Sequence, residues 1–243
     1  MIRVIHSEFA KLKRSLVLLL CAAAPTMVAL LSAVMLMDRD KPTTWPMFAM
    51  GSAAMWSYFM LPMTVTALTI LVAQVDHGPK AWNHLLALPV PRWRYYAAKA
   101  LVVAFLVAAM SVALVVLLPL AGYAGEALAP GRQLTGSFGW AETGWLLARM
   151  FAGSLLLIAI QLWAALRFRS FVPPLVIGIG GTFVAVAATA SKQGAFFPWL
   201  IPTNALASDP VRAAMAIQVG LYGGLAAGLL MLIDMARKES PAS

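Results

Sequence analysis

Polar residues gather in short runs along this 243-residue chain, with long apolar stretches between them. A membrane span needs about 20 mostly apolar residues. Six windows meet that requirement: 16–37, 52–75, 98–123, 145–166, 172–190 and 213–234. The fifth is interrupted by Pro173, Pro174, Gly178, Gly180 and Gly181, and neighbouring helices can satisfy the backbone groups that such residues free. Ahead of the first window, Ile2, Ile5, Phe9, Leu12 and Leu16 recur at spacings of three and four, while Arg3, Lys11, Lys13 and Arg14 fall mostly on other faces. That pattern predicts an amphipathic entry helix over 1–15, lying in the membrane interface and running into the first span. Alternation with a period of two is absent, which argues against a β-barrel. The expected fold is all-α integral membrane: one domain over 1–243, six transmembrane helices, the entry helix, and a short helix in the polar loop 76–97.

Composition supports the membrane assignment. The chain is 62% hydrophobic and 11% charged, against about 25% charged in soluble domains. Twelve of the eighteen Lys and Arg residues fall at the amino terminus, between spans two and three, between spans four and five, and in the tail. The positive-inside bias then places both termini and the loop 76–97 in the cytoplasm, in a multi-pass protein of the inner membrane. The net charge of +9 follows from this bias and from anionic lipid at that face, so nucleic acid is not an expected partner. The first apolar core is longer than the roughly 7–15 residues of a cleaved signal peptide, which favours an uncleaved anchor. The single cysteine, Cys21, offers no intramolecular disulfide.

Several chemistries are missing. No G-x-x-x-x-G-K-[ST] occurs, so the chain builds no P-loop of its own, and no H-E-x-x-H occurs. His6, His77 and His84 all lie outside the spans; no metal or catalytic residue is assigned. No ionisable residue falls near a span centre, as an ion path would require. Gln161 and Gln218 are the mid-span polar groups and are expected to bond between helices. Gly220, Gly224 and Gly228 are spaced by four in span six, a stripe that lets another helix approach closely. The aromatic segment 193–210 reads either as a short or re-entrant helix or as an interfacial aromatic belt.

The loop "DHGPKAWNHLLALPVPRWRYYAAK" (76–99) departs most from its surroundings. Pro79 can open a helix, on which Trp82, Leu85, Leu86 and Pro89 form an apolar patch. Pro89 and Pro91 end it, since residues before proline avoid the α region, and Pro91 can open the next helix through Lys99 into span three. Arg92, Arg94 and Lys99 are expected to anchor this end at the membrane surface.

An acidic residue, then "WNHLLALPVPR", then a lysine entering the next span resembles the membrane subunits of type-two ABC exporters, more narrowly the permeases of lantibiotic- and bacitracin-type immunity systems. The residues that match are Asp76, Trp82, Leu85, Leu86, Leu88, Pro89, Pro91, Arg92 and Lys99; the family more often has glutamate at the position of Asp76. The resemblance implies a permease without its own ATPase site and a loop that acts as a coupling helix in the groove of a separate ABC ATPase subunit. It also implies ATP and Mg on that partner, and a second permease chain, identical or a sister. The expected function is ATP-driven export of a lipophilic or amphipathic substrate, such as a peptide antibiotic. A non-transporting scaffold that recruits a cytoplasmic protein through the same loop is the alternative.

Overall fold

The structure is a computed structural model that describes residues 1–12, 15–38, 42–77, 91–129, 133–189 and 191–237. The first helix, α1 (Ile2–Leu12), stops where the Ser15 hydroxyl donates to the Leu12 carbonyl; the same oxygen accepts from the Val17 amide and opens α2 (Leu16–Met37). A serine at this position satisfies one of the amides that a helix start leaves unpaired. Strand β1 (Thr43–Thr44) leads into α3 (Trp45–Met55), which is capped by Thr44 and has a proline in its first turn. A π-helical turn (Trp56–Met60) joins α3 to α4 (Leu61–His77), giving one apolar run over Trp45–Val75. This run begins seven residues before the expected window at 52, because Pro46 sits where a helix needs no amide donor.

Helix α5 (Arg92–Leu128) has 37 residues and is about 55 Å long, well beyond the roughly 30 Å hydrocarbon core of a bilayer. Strand β2 (Leu134–Thr135) pairs in parallel with β1 and is followed by α6 (Trp140–Arg167), α7 (Val172–Ala188), a 3₁₀ turn (Lys192–Phe196), α8 (Ile201–Asn204) and α9 (Pro210–Arg237). Among the described residues, five helices are long and apolar enough to cross a membrane, and α7, at 17 residues, is a shorter apolar helix. The prolines and glycines of α7 do not break it. Pro173 and Pro174 occupy its first turn. At Gly178 an added Cβ would run into Thr66 and Gln161, and at Gly181 into the Trp199 ring, so these glycines are contact faces.

Segment 197–205 folds back against the bundle. Leu200 and Ile201 are buried, Asn204 accepts two hydrogen bonds from the Arg212 guanidinium, and Phe197 stacks on Trp199. This is the short-helix alternative for that segment. At the same end of the bundle, Trp45 meets Phe48, Tyr123 and Phe138 edge-on, and Gly122 leaves room for its ring.

The most extensive helix contact is between α6 and α9, followed by α2 with α5. Gly220 and Gly224 explain the first. A Cβ at Gly220 would lie 2.4 Å from the Gly153 Cα, and one at Gly224 would lie 2.8 Å from the Leu155 backbone. The partner of the stripe is therefore a helix of the same chain. Gly228, expected to pack in the same way, has nothing within 4 Å of a built Cβ: a spacing of four drifts by about 40° per step, which turns it off the face on which Met231 and Met235 are buried. Gly220→Val should destabilise the purified chain by about 1–3 kcal/mol through overpacking, read as a lower melting temperature. Gly228→Ala should melt as the unmodified chain does.

Candidate functional site

On α1, Ile5, Phe9 and Leu12 turn toward the core, and Phe9 packs edge-on against Phe105 of α5 with ring centroids 5.5 Å apart. Glu8 lies on the same face, three residues after Ile5 and one before Phe9, and is 3% exposed. Its carboxylate reaches two ammonium groups: Oε2 is 2.8 Å from the Lys99 Nζ and Oε1 is 2.6 Å from the Lys11 Nζ. Lys99, 1% exposed, also donates to the Val72 carbonyl at 3.1 Å. Lys11 donates to the Tyr95 hydroxyl at 3.3 Å, and the Tyr95 ring lies 5.0 Å and 5.1 Å from the Lys11 and Lys99 ammonium groups. A buried ammonium is tolerated only when its charge and its N–H groups are met. Here a carboxylate, a carbonyl and an aromatic face meet it.

The cluster joins three elements. Glu8 and Lys11 belong to α1, Val72 to the last turns of α4, and Tyr95 and Lys99 to the first turns of α5. The Val72 carbonyl lies near the C-terminal end of α4, where the helix dipole favours a cation. The two helices tied together are the ones that flank segment 78–90, so the entry helix is fastened at the root of the loop that carried the expected coupling motif.

Lys99, expected as a membrane anchor, instead holds its ammonium inside the protein, where Glu8 supplies the countercharge that the bilayer surface would otherwise have to supply. Arg94 is exposed and its guanidinium sits over the Trp93 ring, 5.5 Å from the centroid. Arg92 is exposed and begins α5, immediately after Pro91. Asp76 falls in the last turn of α4, and nothing of its side chain is described. Trp82, Leu85, Leu86, Leu88 and Pro89 lie outside the described residues. Glu8 and Tyr95 were missed. The available signal was a lone carboxylate within the apolar stripe of α1, which a surface helix has no reason to place there.

The mid-span glutamines separate. Gln161 is fully buried and donates to the Thr66 hydroxyl at 2.6 Å and, at 3.4 Å, to the Pro174 carbonyl, bridging α6 to α4 and α7. Gln218, expected to bridge helices as well, lies on the exposed face of α9. Near the basic end of the bundle, the Trp163 indole donates to Asp234 at 2.9 Å, joining α6 to α9.

An all-α bundle of long apolar helices with a buried charge cluster at one end defines a multi-pass membrane protein. A family model described as ABC-2 family transporter protein matches residues 4–185, more than half of the chain, and the chain belongs to that family of transporter membrane subunits. No curated protein and no solved structure matches it.

Lys99→Met should destabilise the chain by about 3 kcal/mol, because it leaves the buried Glu8 carboxylate with Lys11 as its remaining cation. Adding Glu8→Leu should recover much of that loss, since Lys11 is 30% exposed and can turn to solvent. Unfolding of the purified chain in detergent, followed by denaturant titration of both variants, measures this.

Proposed function

We propose that the chain is the permease subunit of an ATP-driven exporter, working with a second permease chain and a separate ABC ATPase subunit that binds ATP and Mg. In this reading the six apolar helices all span the inner membrane, with α7 completed by the folded-back segment after it, and both termini are cytoplasmic. Segment 76–97 holds the coupling loop. Trp82, Leu85 and Leu86 enter a cleft of the ATPase, Pro89 and Pro91 stiffen the turn, and α1 lies along the inner interface. The substrate is lipophilic or amphipathic, with a peptide antibiotic as one candidate.

The observation that carries this reading is the tie among Glu8, Lys99 and the Val72 carbonyl. A loop that only joined two spans would not require its two flanks and the entry helix to be fastened together by buried charges. A loop that receives force does, because a push on a loosely held root would be absorbed by local bending. The membrane core holds no buried ion pair among the described residues outside this cluster, which fits energy supplied from another subunit.

Replacing Leu85 and Leu86 together by aspartate should leave membrane insertion intact and abolish capture of the ATPase encoded with this chain. ATP-dependent substrate movement in proteoliposomes should fall by roughly tenfold or more, as for loss of a desolvated anchor residue. Normal assembly and transport by that variant would sink the coupling role. Normal ATPase capture by the unmodified chain without any ATP-dependent transport would favour the scaffold reading.

A further inference from the structure

A cleft of about 310 Å³ lies between α5, α6 and α9, and its lining is almost wholly carbon. Its floor is shallow-walled because the residues there are small: Ala97 and Ala104 of α5, Ala159 of α6 and Gly228 of α9. Gly228 leaves open space beside it. The rim is formed by Leu101, Leu225 and Leu229, each more than half exposed (53%, 59% and 61%), so the cleft opens sideways from the bundle. It is confined to the half of the bundle that contains the start of α5 and the ends of α6 and α9. That end carries Arg92, Arg94, Arg167 and Arg237.

We propose that this cleft binds one anionic glycerophospholipid, an acyl chain lying between α5 and α9 and the phosphate meeting Arg94. Helical register supports the pairing. Arg94 is three residues before Ala97 and seven before Leu101, on the same face of α5, and its Cα lies about 4.5 Å along the axis from that of Ala97. The guanidinium is exposed beside Trp93, the basic–aromatic pairing of a membrane interface. A hydrocarbon tail matches the carbon lining, and an anionic headgroup matches the arginines at that end of the bundle. The inference uses the membrane assignment but not the ATPase or the transported substrate.

The test is native mass spectrometry of the delipidated full chain titrated with dioleoyl-phosphatidylglycerol or dioleoyl-phosphatidylcholine. We expect one retained lipid per chain, with phosphatidylglycerol favoured about fivefold, the effect of one arginine near an anionic surface. Arg94→Gln should erase the preference while the chain still retains lipid. Gly228→Leu, and separately Ala104→Leu, should remove the retained lipid while melting near the unmodified temperature. Unchanged retention in both cleft-filling variants overturns the site. An unchanged preference in Arg94→Gln overturns the headgroup contact. A dimer that Gly228→Leu dissolves would assign the cleft to a second chain instead. No ATPase is present, so failure here is separate from failure of the permease reading.

Discussion

A lysine ammonium withdrawn from water must be answered by an anion and by acceptors for its protons, and the packing around Lys99 follows from that requirement. Glu8 can answer it only if α1 lies against α5 with its apolar stripe inward. That posture brings Phe9 onto Phe105 and Leu12 into the core. Val72 can answer it only if α4 ends beside the start of α5. One buried charge thus fixes the position of three elements, with Glu8 and Lys99 91 positions apart in the chain. Apolar packing alone would leave these helices freer to slide, because it has no directional preference.

The rest of the bundle is held by close approach rather than by charge. Between α6 and α9 the backbones meet at Gly153 and Gly220, while on α7 Gly178 receives the Thr66 and Gln161 side chains and Gly181 the Trp199 ring. In a lipid surrounding, such contacts carry the association of helices, since burying a leucine against another helix gains little over burying it in acyl chains. Gln161 adds a directional bond across three helices. Where the small-residue stripe turns off the contact face, as at Gly228, the same composition leaves a cleft.

Much of this was legible in sequence. Apolar length gave the long helices, spacing gave α1, and the four-residue stripe gave Gly220 and Gly224 as contact residues. What periodicity reports is which way a side chain points, not what waits there. It could place Glu8 among Ile5, Phe9 and Leu12 but not find Lys99, and it could not tell that Gly228 faces space. The prolines of α7 were read as interruptions because their position within the first turn depends on where the helix begins. Gln161 and Gln218 look alike in sequence. Only the arrangement of neighbours separates a buried bridge from an exposed side chain.

The length of α5 carries a mechanical consequence. A helix of 37 residues that packs along α2, unbroken although Pro119 lies in its last third, acts as a rod, and rods pivot. A tilt of about 5° around its middle would swing each end by about 2 Å in opposite directions. One end is gripped by Glu8 through Lys99. Near the other, Tyr123 meets Trp45, and the β1–β2 pair follows. A displacement applied at the charged end would therefore reach the far end reversed in sign, as in a lever with its fulcrum inside the bilayer.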